Sequence, residues 1–443
     1  LQNKSITLCG RLRLLRSHGK ATFAHIEDES GKLQIYLKYD EVGKEKYKFF
    51  KNFDIGDFIE VKGELFKTKT SEKTLRVKDF RMLAKAIRPL PEKWHGIKEK
   101  EVRYRKRYLD LLMNPDVGEV FRKRAKIVNL IRDFMEKLGF LEVDTPVLQP
   151  VYGGAFAKPF QTTLDSLHMK VYLRIANELY LKRLIIGGYE KVYEFSKDFR
   201  NEGIDKTHNP EFTQVEFYWA YKDYNDIMKF VEELYSYLAK EVSGSLKIKY
   251  QGKIVDFTPP FKKLKFVDAL EKYSGIKGIL DMSKDELANK IKSLKIKELE
   301  EKKHTTKAEI LEDLFDYFVQ DKLWHPTFVI DWPRETTPLA KVHRDDPRLV
   351  ERVEPSICGI ELGNGFTELN DPVDQRKRFE EQLEARKKGA LETHPLDKDF
   401  LEAIEYGMPP TGGMGIPIDR LTMILTDSPS IRDVILFPFM KRK

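Results

Sequence analysis

Between Phe212 and Tyr221 polar and apolar positions alternate, the period of a strand with one face toward a core. Glu211, Thr213, Val215, Phe217 and Trp219 then share one face, and Phe212, Gln214, Glu216, Tyr218 and Ala220 share the other. An aromatic ring, a carboxylate and a phenol in a row form the wall of a pocket, and the preceding loop brings Arg200, Glu202, His208 and Asn209 to its edge. Two apolar stripes with helical period flank this strand in sequence. The first is Val120, Ile127, Ile131, Phe134 and Leu138, with Gly139 as C-cap; the second is Ile227, Phe230, Val231, Leu234 and Leu238. GFLEVDTPVL reads as a short strand ended by Pro146. Because strands and helices do not alternate as regular βαβ units, the pattern predicts an antiparallel sheet flanked by helices.

The first ninety residues read differently. SITLCGRLRLLRS, KATFAHIED, KLQIYLKY, DFIEVKGELFKT and KTLRVKDFRMLAKAI are five strand-like runs, with a hairpin turn at DESG and one helical segment, EVGKEKYKFFKNF, between the third and fourth. That order predicts a five-stranded Greek-key barrel of the OB type, and the fold class is therefore α+β. Alternation turns Thr22, Ala24, Ile26, Leu33, Ile35 and Leu37 inward and Phe23, His25, Gln34 and Tyr36 outward. Phe23 beside Gln34 offers a stacking surface with a hydrogen-bonding amide next to it, as nucleic-acid binding requires. The plainer alternative is that another domain covers Phe23. RPLPEKWHGI, with two prolines and a glycine, marks a linker, which sets domains at 1–88 and 102–443 with 89–101 between them.

Charge sharpens this division. The chain of 443 residues carries 79 Lys and Arg against 71 Asp and Glu, a net +8. Residues 1–88 hold twenty of the basic and twelve of the acidic residues, so the whole excess lies there and the remainder is neutral. A polyanion-binding module on a neutral body is the expectation. No apolar run approaches the length of a membrane span and no signal peptide is evident, so neither membrane attachment nor export is expected. The first residue is not Met, and upstream residues are expected to be missing. The two cysteines, Cys9 and Cys358, have no partner at zinc-ligand spacing, which predicts neither zinc nor a disulfide and suits a reducing cytoplasm.

Several phosphate-binding signals fall away. There is no glycine loop ending in Lys-Ser or Lys-Thr. GGMG at 412–415 lacks the helix opening of a dinucleotide loop, because Pro417 follows, and taken alone it reads as a tight turn. Ser283 in DMSK is a helix N-cap before KDELANKI.

Three segments in order resemble the signature motifs of class II aminoacyl-tRNA synthetases: GFLEVDTPVL the first, FRNEGIDKTHNPEFTQVEFYWAY the second, and TGGMGIPIDRLTMIL the third. RPLPEKWHGIKEKEVRYRKRYLDL, RIANELYLKRLIIGGYEKVYEFSKDFRNEG, IELGNGFTELNDP and IRDVILFPFM further resemble the lysyl-tRNA synthetase family of the bacterial and eukaryotic kind, over both domains. The resemblance implies ATP-dependent activation of L-lysine and its transfer to tRNA(Lys) by a cytoplasmic homodimer, with Mg2+ accompanying ATP. It implies that Arg200 and Arg420 are catalytic, Arg200 on the α-phosphate and substrate carboxylate, Arg420 on the γ-phosphate. Glu202 then reads the adenine amino group, Phe212 stacks on the base, and His208 and Asn209 lie by the triphosphate. Glu354 and Glu361 match magnesium ligands. Glu216 and Glu368 match the pair around the ε-ammonium, Tyr218 adds a hydrogen bond, Glu178 meets the α-ammonium, and Asn364 with Phe366 shapes the pocket near Gly154. On the barrel, Phe23, Gln34 and Glu72 match the anticodon contacts. Two departures concern backbone only: the family commonly has Pro at Asn177 and Gly at Pro417.

Other readings share parts of this pattern. An aspartyl or asparaginyl enzyme has the same architecture, but Glu216 and Glu368 would repel or mismatch its substrate. An idle RNA-binding regulator would not need the intact set of ATP residues. A paralogue that attaches lysine to protein would lack the barrel.

Overall fold

A computed structural model describes residues 5–91, 99–302, 304–387 and 393–442. The chain divides into two compact units, Leu1–Asn114 and Pro115–Lys443. Residues 92–98, which include the last six of RPLPEKWHGI, lie outside the described residues. Two short helices that follow it, Lys100–Arg105 and Arg107–Met113, fall within the first unit. There Arg13 donates to the Leu112 carbonyl at 2.9 Å, and buried Arg107 pairs with Asp110 at 2.7 Å.

In the first unit β1 (Ser5–His18), β2 (Ala21–Asp28), β3 (Gly31–Lys38), β4 (Phe58–Lys67) and β5 (Lys73–Ala84) close a barrel in the order β1-β2-β3-β5-β4. Thr22, Ala24, Ile26, Ile35 and Leu37 are buried as the alternation requires, whereas Leu33, near the hairpin end, is half-buried. The turn at DESG is tied by Asp28, whose carboxylate accepts from the backbone N–H of Ser30 and Gly31. The single helix expected after β3 is two, Tyr39–Val42 and Lys44–Phe50, because Gly43 at φ +86° breaks the run. Both still bury Val42, Tyr47 and Phe50 in the barrel core.

The second unit is built on a mixed sheet in the order Lys262–Lys265, Thr327–Pro333, Leu349–Ile357, Asn364–Thr367, Thr411–Pro417, Glu211–Ala220, Lys191–Phe199, Leu141–Glu142. Its middle is antiparallel, as expected. Both outer pairs are parallel, a feature that side-chain period does not encode. On one face Val215 and Phe217 pack with the stripe Ile227, Phe230, Val231, Leu234 and Leu238 of helix Tyr224–Ser243 and with Ile127 and Ile131 of helix Pro115–Lys137. Asp223 caps the former helix through a reciprocal box with Asp226, a contribution of about 1 kcal/mol. Leu138 corrects the sequence reading. The helix ends at Lys137, Leu138 is 38% exposed, and Met135 fills the core position instead. Gly139 at φ +80° supplies the expected left-handed exit.

GGMG is not a turn. It lies within strand Thr411–Pro417, paired on one side with Glu211–Ala220 and on the other with Asn364–Thr367. The glycines are there for close approach rather than for reversal of the chain.

Candidate active site

A cavity of about 390 Å3 opens over the Phe212, Gln214, Glu216 and Tyr218 face of the central strand. Gly154, Glu178, Arg200, Glu202, His208, Asn209, Glu354, Glu361, Asn364, Phe366 and Arg420 also line it, so residues scattered over more than 250 positions converge on one space. Glu368 alone among the expected catalytic-unit residues is not on its surface. It lies fully buried behind the wall.

One end of the cavity is basic and fork-shaped. The Arg200 guanidinium sits 5.0 Å from the centre of the Phe212 ring, and its Nε donates to the Ile175 carbonyl at 3.3 Å. Arg420 donates to the Glu361 carboxylate at 3.1 Å and also reaches His208 Nε2 at 2.8 Å. A guanidinium cannot accept, so Nε2 is the acceptor and the proton of neutral His208 is on Nδ1, donated to Asp205 at 2.8 Å. Glu202 accepts from the Lys158 backbone N–H at 3.2 Å, while the Asn209 amide donates to the Glu211 carbonyl at 2.6 Å and its Oδ1 is buried without a partner among the described residues. Asp419, next to Arg420, fixes this end. It accepts from the Thr213 backbone N–H at 2.7 Å and pairs with Arg124 at 2.8 Å, which ties three elements together.

Glu354 and Glu361 face the same end, each already beside an arginine. Arg352 donates to Glu354 at 2.5 Å and to the Asn364 side chain at 3.2 Å. Burial, with Glu361 as a further contribution, pushes the Glu354 carboxyl up to about 8. Two hard carboxylates held close together are suited to a divalent cation whose remaining ligands come from phosphate and water. Among the described residues no group of three or more His, Cys, Asp or Glu gathers as a metal site by itself.

The other end is acidic and closed. Glu216 accepts from the Tyr218 hydroxyl at 2.5 Å and from the Gln214 amide at 3.0 Å. Burial pushes Glu216 well above the usual carboxylate range, and the neighbouring charge of Glu178 adds to it. Glu178, first residue of helix Glu178–Ile186, and Glu368 both pair with Lys182. The expected Glu216–Glu368 couple is thus split between a hydroxyl partner and an ammonium partner. Asn177 donates to Glu194 at 2.9 Å, and Glu194 in turn pairs with Arg174 at 2.6 Å, so this departure is absorbed into a buried polar network.

Glycines make the room. A Cβ on Gly413 would lie 2.4 Å from the Tyr218 ring and 2.8 Å from Glu368 Oε1, and one on Gly365 would lie 2.5 Å from the Gly413 carbonyl. Gly154, at φ +88°, would meet Glu178 at 2.9 Å.

In the barrel unit Phe23, Gln34 and Glu72 line one surface pocket together with Arg16, His25 and Lys69. Phe23 is half-buried rather than free, tilted against Tyr36 with centroids 4.7 Å apart. The Gln34 amide nitrogen donates to Thr74 at 2.8 Å, which fixes the amide plane and turns its oxygen to act as acceptor. Sequence reasoning missed Lys182, Arg352, Glu312 and His394. A signal for the first was present: Glu178 and Lys182 are an i,i+4 charge pair in the otherwise apolar ELYLKRLII.

A five-stranded barrel joined to a mixed sheet bearing this arginine-and-carboxylate cavity is the plan of a class II aminoacyl-tRNA synthetase. The family of class II tRNA synthetases for D, K and N matches residues 99–441, and the OB-fold nucleic acid binding domain matches residues 6–83. The lysine–tRNA ligases of Clostridium novyi (strain NT) and Thermoanaerobacter pseudethanolicus (strain ATCC 33223 / 39E) are each 52% identical to this chain over its whole length, covering 86% and 88% of their own. That of Clostridium tetani (strain Massachusetts / E88) is 50% identical over all of this chain and 88% of its own. The chain belongs to the class II lysine–tRNA ligase family.

Proposed function

We propose that this enzyme activates L-lysine with ATP and transfers it to tRNA(Lys), and that its cavity holds both substrates at once. The observation that carries the reading is polarity: the guanidinium groups of Arg200 and Arg420 at one end, beside the cation-suited pair Glu354 and Glu361, and the closed carboxylates Glu178 and Glu216 at the other, as a triphosphate beside a diammonium substrate demands. Lysine's carboxylate attacks the α-phosphorus, the bond to pyrophosphate breaks, and the aminoacyl group later passes from AMP to a tRNA hydroxyl. These steps depend on positioning and charge neutralisation. Arg200 holds the α-phosphate and the carboxylate, Arg420 the γ-phosphate, Phe212 and Glu202 the adenine, His208 and Asn209 the triphosphate. Glu354 and Glu361 would hold magnesium, which neutralises phosphate charge when bound. Glu178 meets the α-ammonium, Glu216 with Tyr218 the ε-ammonium, Glu368 supports that end from behind, and Gly154, Asn364 and Phe366 set the pocket's shape. The test is exchange of labelled pyrophosphate into ATP with each standard amino acid in turn. Exchange with lysine alone supports the reading, and exchange with aspartate or asparagine, or with none, removes it.

Residues 1–88 we assign to anticodon binding, supported by the basic excess and the Phe23–Gln34–Glu72 pocket. Phe23→Ala or Gln34→Ala should lower aminoacylation of tRNA(Lys) about 10-fold or more, since a stacked base contributes about 1–3 kcal/mol. Pyrophosphate exchange should be unchanged, and an equal loss in both assays would contradict the assignment. A homodimer is supported by exposed apolar side chains along the first motif, Leu141 and Leu148 at 44% and 49%. Sedimentation should give a dimer that Leu141→Glu together with Leu148→Glu converts to monomer; a monomeric parent would remove the proposal. Among the described residues no helix is long and apolar enough to cross a membrane.

A further inference from the structure

The amino-acid end of the cavity contains a cation that the reaction scheme above does not use. Lys182 has no exposed side-chain surface and does not line the cavity. Its Nζ lies 2.5 Å from Glu178 Oε1, is paired directly with Glu368, and sits 5.8 Å from the Tyr218 ring centre. Among the described residues it is the one cation ion-paired with any of Glu178, Glu216 and Glu368.

Charge counting gives this arrangement a purpose. Three buried carboxylates and one ammonium leave the pocket at −2 when all are ionised, and free lysine brings two ammonium groups, its carboxylate being taken toward Arg200. Without Lys182 the pocket would stand at −3, one charge beyond what the substrate can neutralise, and close carboxylates avoid that state by holding protons. We propose that Lys182 is the fixed counter-cation of the amino-acid pocket, a positioning residue that sets the pH range in which Glu178 is free to receive lysine with Glu368 ionised behind it. The inference rests on the lysine-ligase reading above.

The surroundings agree from every side that packs against Lys182. Burial by itself would lower its pKa, yet Glu178 and Glu368 together hold it above the ordinary lysine value. Burial raises Glu178 and pushes Glu368 up to about 8, and in both cases Lys182 works in the opposite direction. Tyr218 stays a neutral phenol, raised by burial and by the three carboxylates. His394, stacked on Phe379 with centroids 6.2 Å apart, is held neutral, its pKa lowered to about 3 by burial and then by Lys182. The neighbour that could have competed as a cation is thereby silenced.

The test is lysine-dependent pyrophosphate exchange by Lys182→Met from pH 6 to 9, beside the parent enzyme and Lys182→Arg. For Lys182→Met the KM for lysine at pH 7 should rise about tenfold or more while the KM for ATP stays as it was. The acidic limb of log(kcat/KM) for lysine should move to higher pH by about one unit, so that the deficit narrows at pH 9. Lys182→Arg, which keeps the charge, should retain the parent limb. A uniform deficit with an unmoved limb, or an equal rise in both KM values, would show a merely structural lysine and overturn the inference. Should Lys182→Met fail to fold by circular dichroism, Lys182→Gln, which retains hydrogen-bond donors, is read by the same criteria. Absence of lysine-dependent exchange in the parent enzyme would instead count against the functional reading.

Discussion

Glu216→Gln should abolish lysine-dependent pyrophosphate exchange to within about 1% of the parent or less, while ATP binding persists. The side chain is buried and its two oxygens already accept from Tyr218 and Gln214, so the amide fits the space but cannot neutralise an ammonium. Leaving one partner of a buried ion pair alone costs about 3–5 kcal/mol, on the order of a 10^2- to 10^3-fold loss in kcat/KM for lysine. The same substitution should raise the melting temperature of the empty enzyme. Burial holds the folded-state pKa of Glu216 well above its unfolded value, so the neutral form is the comfortable one. Stability owed to that neutral form is complete below the unfolded carboxylate value and is lost as pH rises toward the folded one. The melting difference between Glu216→Gln and the parent should therefore widen from pH 5 to pH 8. Equal melting temperatures at both pH values would show that Glu216 carries no burial cost, and exchange above a tenth of the parent rate would remove it from lysine recognition.

Arg200→Ala is expected to have the second large effect, a loss of about 10^3-fold in the rate of exchange with at most a modest change in lysine KM. Its guanidinium is held between the Ile175 carbonyl and the Phe212 ring on the cavity wall, and in the proposed reaction it binds the α-phosphate and the substrate carboxylate. Removing a preorganised donor from a reacting centre costs about 2.7–4 kcal/mol, and more where the donor is charged. Arg200→Lys should recover only a small part, because an ammonium has no planar fork with which to bind two oxygens side by side. Single-turnover adenylate formation separates this from a binding defect. A rate within tenfold of the parent for either variant would remove Arg200 from the chemistry.

The pocket wall was legible because a strand's period of two is written into its residues: Phe212, Gln214, Glu216 and Tyr218 line the cavity while Val215 and Phe217 enter the core. The barrel was legible for the same reason, from Thr22 to Leu37. Helix ends were less so. Leu138 continues an apolar stripe that the chain has already left, and only the exit at Gly139 decides between it and Met135. Local pattern also failed at 412–415, where glycines usually mean a turn and here mean that two neighbouring strands press in from both sides. Lys182 left one local signal, its i,i+4 pairing with Glu178 in an apolar helix, but its second partner Glu368 lies 186 positions away and is known only from the opposite wall.

The glycine strand through the middle of the sheet sets a limit on how this pocket could change its preference. At Gly413 a single methyl group would collide with the tyrosine ring and with the carboxylate behind it, and at Gly365 it would strike the main chain. No small step in side-chain size is neutral at either place, so the pocket floor at Gly413, and the strand pairing behind it at Gly365, are closed to gradual variation. A descendant that came to accept a shorter or differently charged amino acid would have to rebuild the walls, from Glu178, Glu216 or Phe366, and inherit the floor as it stands.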